Sequence, residues 1–149
     1  MSSLSFGYSI RNSGMTNDYN VLLNAAKLCE KLEYDVIWVS ERLLPTDNWK
    51  KFFANSIYDP LIALSTFALI TKKIKLGTSV LNPFRHPLIT GRMLTTLDHV
   101  SNGRLIVGLG IGWRKIELDS MGINFQQRGK ILDEQLDILK LLWNNKKIN

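Results

Sequence analysis

Cysteine is almost absent: Cys29 is the single one in 149 residues. That excludes an internal disulfide framework and fits a reducing compartment. Histidine is scarce too. His86 and His99 stand apart and, with one cysteine, give no metal-ligand spacing, so no metal site is expected. No serine or cysteine nucleophile elbow is present. The apolar runs fall far short of the roughly 20 residues a membrane helix needs. Residues Met1 to Phe6 lack the charged start and apolar core of a signal peptide. A cytoplasmic protein with no membrane partner is therefore expected. Low-complexity stretches and long basic runs are missing as well. The net charge is +6, but Lys72, Lys73 and Lys75 sit at one junction and Lys146 and Lys147 in the tail, without interleaved aromatics. Nucleic acid is not the expected partner.

What is present is a regular alternation of patterns. Hydrophobic residues make up 45% of the chain, enough for one domain with a sizeable core. Leu4, Phe6 and Tyr8 alternate with small polar residues, a strand pattern. From Asp18 the period changes, and Leu22, Ala25, Ala26, Cys29 and Leu32 share a helical face. Val36 to Val39 reads as a strand buried on both faces. Asp59-Pro60 is a helix start, an N-cap carboxylate followed by proline, for a helix to about Ile70. Ile74 to Val80 is the third strand. Pro87 opens a helix with Met93, Leu94, Leu97 and Val100 inward. Arg104 to Gly108 is the fourth strand. Gln126 to Trp143 is a helix with Leu132, Leu136, Leu139 and Trp143 on one stripe. The order β-α-β-α-β-α-β-α implies a parallel sheet with helices outside. A doubly wound sheet and part of an eight-stranded barrel, which typically needs about 250 residues, both fit. The long connection from Glu41 to Tyr58, with Pro45, Thr46, Asp47 and Asn48, falls on the carboxyl side of the strands, where α/β folds place their sites.

The fourth strand dissolves into alternating glycines, Gly108, Gly110 and Gly112, and ends at Trp113. Glycine allows close backbone approach to a bulky partner. The spacing is G-x-G-x-G rather than the dinucleotide fingerprint. A site for a flat ligand and a tight strand-to-helix turn both satisfy it.

Several phrases together resemble the bacterial luciferase-like monooxygenase family, and within it the branch that includes deazaflavin-dependent oxidoreductases. They are Tyr34-Asp35-Val36-Ile37-Trp38-Val39-Ser40-Glu41, Tyr58-Asp59-Pro60-Leu61, Lys75-Leu76-Gly77-Thr78-Ser79-Val80-Leu81 and Thr96-Leu97-Asp98-His99-Val100-Ser101-Asn102-Gly103-Arg104. Glu117, Gly122, Gln127-Arg128-Gly129 and Leu142-Trp143 follow in order. The run Asn82-Pro83-Phe84-Arg85-His86-Pro87 is similar to a loop of the methylene-tetrahydromethanopterin reductases.

The resemblance implies a (β/α)8 TIM-barrel type of α/β fold, with residues 1–149 as one incomplete domain, the N-terminal half of the barrel with about four β/α units. Half a barrel has two unpaired strand edges, so a homodimer or pairing with a C-terminal half is implied. The implied activity is oxygen insertion into, or hydride transfer to, a small organic substrate. The implied cofactor is FMN or the deazaflavin coenzyme F420, whose phosphate grip lies largely in the other half. A cis peptide bond between Ser79 and Val80 would support the ring. Glu41 and Arg42 are the implied catalytic pair, with arginine where many relatives have histidine. Arginine stays protonated, so it would hold an anion rather than shuttle protons. Ser79, Val80, Gly108, Gly110, Gly112 and Trp113 are the implied cofactor-binding residues. Trp113 stands where the family's sugar-phosphate dehydrogenases have a glutamate acid, which argues against their proton transfer. A core plug is the favoured role for its ring, and an exposed helical position for Glu117. Two rival readings are a non-catalytic half-barrel that serves as a pairing partner, and a flavodoxin-like nucleotide binder. The latter lacks a phosphate loop, because Ser9-Ile10-Arg11-Asn12-Ser13-Gly14 is a poor substitute.

Overall fold

The computed structural model describes residues 4–13, 18–45 and 56–144. Four strands, β1 (Gly7–Ser9), β2 (Val36–Val39), β3 (Lys75–Thr78) and β4 (Leu105–Ile106), form one sheet in the order β1-β2-β3-β4. All neighbours pair in parallel: Gly7 lies opposite Val36, Val36 opposite Lys75, and Leu76 opposite Leu105. The helices between them are α1 (Asn20–Lys31), α2 (Pro60–Ile70) and α3 (Pro87–Val100). After β4 come α4 (Lys115–Ser120), a 3-10 turn (Phe125–Gln127) and α5 (Arg128–Trp143). The expected alternation of strands and helices is observed, with α4 and the 3-10 turn added between β4 and α5. Sequential parallel strands with helical crossovers are the arrangement of a barrel wall, not of a doubly wound sheet that reverses its order.

Strand parity divides the sheet into two faces. Ile37, Val39 and Leu76 point at the helices and are fully buried with Ile10, Leu64 and Phe67 in the main core. α2 is apolar around most of its circumference because it packs against α1, α3 and the sheet. On the other face Trp38 lies across its two neighbours. A Cβ on Gly7 would meet Trp38 Nε1 at 2.4 Å, and one on Gly77 would meet Trp38 Cε3 at 2.3 Å. Two side chains are left out so that one large ring can cover three strands.

Polar groups fix the helix ends. Asp59 Oδ1 accepts from the Leu61 and Ile62 N–H groups at 2.8 and 3.1 Å, the N-cap the sequence predicts. His86 caps α3, its Nδ1 accepting from Leu88 N–H at 3.3 Å. At the other end of α3 the chain reverses through Asn102 (φ 56) and Gly103 (φ 74) and delivers Arg104. The Arg104 guanidinium then donates to the Ala68, Thr71 and Ile74 carbonyls at 2.9, 3.2 and 3.0 Å, satisfying the end of α2.

Several details differ from the periodicity. Leu4, Phe6 and Tyr8 are 82%, 63% and 47% exposed, because β1 is an edge strand and its helix-side face is covered only near Ile10. Leu32 is exposed because it caps α1 and has left the helical geometry. Val100 is 42% exposed at the end of α3, and Trp143 is 45% exposed beside the β4 edge. There Trp143, Leu94, His99, Leu105 and Val107 line an open groove of about 340 Å³. β3 stops at Thr78, short of Val80, and β4 is only two residues long. Of the Glu41–Tyr58 connection, positions 46–55, which include Thr46, Asp47 and Asn48, lie outside the described residues. No helix among the described residues is long and apolar enough to cross a membrane.

Candidate functional site

Because the strands are parallel, their carboxyl ends form one rim. The Ser79–Val80 peptide bond at the end of β3 is cis, as the resemblance implies. Ser79 N–H donates to the Val39 carbonyl at 2.8 Å, and Leu81 N–H to that of Gly108 at 2.9 Å. The chain therefore bulges at 79–80 and rejoins the wall at Leu81, bridged to Leu109. Ser79 is exposed, and Val80 is 39% exposed.

This bulge explains two of the glycines. A Cβ on Gly108 would stand 2.3 Å from the Thr78 carbonyl oxygen, and one on Gly110 2.4 Å from Val80 Cγ2. Their missing side chains make room for the neighbouring strand end. Gly112 has φ +77 and turns the chain toward α4. Trp113 follows and is 71% exposed, so it does not plug the core. The Arg42 guanidinium lies over its ring, 5.1 Å from the centroid.

Glu41 is buried, with its side chain fully covered. Its side-chain partner is Arg85 from the β3–α3 loop. The other carboxylate oxygen accepts from Asn82 N–H at 2.6 Å. Arg85 Nη2 also reaches Asp59 Oδ2 at 2.5 Å. One guanidinium thus joins the residue after β2, the cap of α2 and the loop after β3. Burial raises the Glu41 pKa, while the Asn82 N–H and then Arg85 pull against it. Burial also works against the Arg85 charge, but Glu41 and Asp59 more than restore it and raise its pKa.

Glu117, expected on an exposed helical face, is 4% exposed. Its Oε1 accepts from Leu43 and Leu44 N–H at 3.2 and 3.1 Å and from Arg114 Nη1 at 2.6 Å. Asn12, in the loop that is a poor phosphate cradle, is buried and donates through Nδ2 to the Ser40 and Tyr58 carbonyls at 2.8 and 2.6 Å. The sequence gives no spacing signal for these anchors, whose backbone partners lie from 28 to 74 positions away. Asp59 is visible beforehand only as a cap, and Arg85 only as part of a loop phrase.

The rim thus brings together Ser79, Val80 and the Gly108–Trp113 strand end, with Arg42 above Trp113. Glu41 stands behind it. The luciferase-like monooxygenase family model matches residues 3–149. The F420-dependent glucose-6-phosphate dehydrogenase of Amycolatopsis mediterranei is 31% identical over 133 residues, covering 86% of this chain and 39% of that protein. The crystal structure of monooxygenase RslO1 from Streptomyces bottropensis superposes with TM-score 0.81 at 25% identity, over 94% of this chain and 43% of that one. The FMN-bound oxygenating constituent of 3,6-diketocamphane monooxygenase from Pseudomonas putida gives TM-score 0.82 at 21% identity, over 99% and 41%, a likeness of fold. The chain spans 20% to 39% of the length of such curated relatives. With its fold, its rim and the match over nearly every residue, the chain belongs to the luciferase-like monooxygenase family.

Proposed function

We propose that the rim binds the ring of a reduced flavin or deazaflavin, FMN or F420, and that the protein is an oxidoreductase acting on a small organic substrate. The observation that carries this reading is an apolar ledge at the carboxyl edge of a well-packed sheet. Val80, Ile111 and Trp113 are 39%, 43% and 71% exposed there. A planar, largely apolar ring is the kind of ligand that such a ledge covers. When bound, the cofactor supplies hydride transfer or oxygen activation, which side chains cannot. Ser79, Val80 and the Gly108–Gly112 backbone would hold the ring, and Trp113 would stack on cofactor or substrate. Arg42 holds negative charge on the ring or an intermediate. Glu41, enclosed by Arg85 and Asn82, positions the rim instead of exchanging protons with the substrate.

Residues 1–149 serve in this reading as the N-terminal half of a barrel, with further β/α units completing it in a homodimer or a C-terminal half. The open edges of β1 and β4, with Phe6, Tyr8 and Trp143 exposed, support that requirement. Titration of the purified chain with FMN and with F420, followed by fluorescence, tests the cofactor proposal. Saturable binding of one of them is expected, and binding of neither defeats it.

A further inference from the structure

Arg42 lies between two buried grips. On its amino side Glu41 is held by Arg85 and by Asn82 N–H. On its carboxyl side the Leu43 and Leu44 N–H groups both donate to Glu117 Oε1. Arg114 Nη1 donates to the same oxygen and, at 2.6 Å, to the Leu44 carbonyl. Glu117 sits on α4, four residues after Trp113. A single carboxylate oxygen therefore ties the backbone that follows β2 to the helix that follows β4.

We propose that Glu117 is a positioning residue: by fixing the backbone of Leu43 and Leu44 it holds the Arg42 guanidinium over the Trp113 ring. The physical reason is entropic. A long arginine side chain loses much rotamer freedom when placed on one ring, and a backbone pinned on both sides lowers the cost of holding it there. Leu43 and Leu44 lie outside any helix or strand, so no ladder of backbone bonds fixes them instead. The carboxylate accepts three donors at once in a buried setting, where leaving those donors unmatched is costly. The Arg42–Trp113 placement stands on the chain's own geometry. Its consequence for a bound ring rests on the flavin or deazaflavin reading above.

The test separates the two. The Trp113 contribution to fluorescence is obtained as the difference between the chain and its Trp113→Phe variant, and again in the Glu117→Ala and Glu117→Gln backgrounds. Removing the carboxylate with Ala is expected to shift this contribution, because the cation leaves the indole face. Gln keeps an oxygen acceptor and is expected to restore it. An unchanged Trp113 contribution in folded Glu117→Ala overturns the proposal. Should that variant not fold, amide exchange in the unaltered chain decides. Slow exchange at Leu43 and Leu44 supports the grip, and exchange at the rate of open loops overturns it. In the cofactor titration Glu117→Ala is expected to bind FMN or F420 about tenfold more weakly, or about 1.4 kcal/mol. If the unaltered chain binds neither, the functional reading fails while the Trp113 measurement still decides the positioning role.

Discussion

At the scale of single residues, the most consequential one is Arg85, which bridges two carboxylates of different loops. Removing one partner of a buried ion pair leaves an uncompensated charge, typically at a cost of about 3–5 kcal/mol. Arg85 is one-fifth exposed, so a value near the lower end, about 3 kcal/mol, is expected for Arg85→Met. The loss should depend on pH, and its sign follows from Glu41. The folded-state pKa of Glu41 is already raised by burial. A carboxyl with a raised folded pKa favours the native state below its unfolded value, about 4.3, and loses that advantage as pH rises through the folded value. Without Arg85 the folded pKa rises further, because Asn82 N–H and the nearby Asp59 remain but the guanidinium does not. Urea denaturation of Arg85→Met at pH 4 and pH 7 is therefore expected to show the larger deficit at pH 7. Adding Glu41→Gln removes the buried charge and should flatten that dependence. A deficit equal at both pH values would show that Glu41 is not the group left unpaired.

At the scale of elements, the meeting of β3 and β4 decides the shape of the rim. Gly108 and Gly110 look alike in the sequence, but their surroundings differ. A methyl on Gly108 meets the backbone carbonyl of Thr78, which is held in place by the Thr78 Oγ1 bonds to Gly108, 2.8 Å to its oxygen and 2.9 Å to its nitrogen. A methyl on Gly110 meets a terminal methyl of Val80, a side chain that is partly exposed and can turn away. Overpacking at a fixed contact costs about 1–3 kcal/mol. Gly108→Ala should fall in that range, and Gly110→Ala should cost less. Thermal unfolding of the two variants measures both, and a greater loss for Gly110→Ala would refute this account of the strand ends. The same comparison bears on legibility. The alternating glycines announce a close approach, and the chain that approaches them is the end of β3, Thr78 at Gly108, 30 residues earlier, and Val80 at Gly110.

At the scale of the whole molecule, the sheet formed by the described residues has four strands, with β1 and β4 at its edges. β1 presents Leu4, Phe6 and Tyr8 toward an uncovered flank, and β4 presents its groove beside Trp143. Apolar flanks on both sides of a parallel sheet are a hazard unless something covers them. The matched stretch covers 31% to 43% of the structures it resembles, and in the half-barrel reading proposed above the remaining units are the expected cover. Sedimentation of the purified 149-residue chain should show association beyond the monomer. A monodisperse monomer at micromolar concentration would count against pairing of these edges.

The order of the strands and the main helices, the cap at Asp59 and the family were all legible in the chain itself. Each depends on residues close in sequence: a period of two or 3.6, a cap and its helix, or a phrase of eight residues. Tertiary structure alone decided which charges meet. It paired Glu41 with Arg85, buried Glu117 beneath Leu43 and Leu44, and left Trp113 facing solvent. These contacts join segments after different strands, which meet only when the sheet assembles. Their partners have no fixed spacing for a reader of the sequence to detect, and burial, which sets their energies, is a property of the assembled rim.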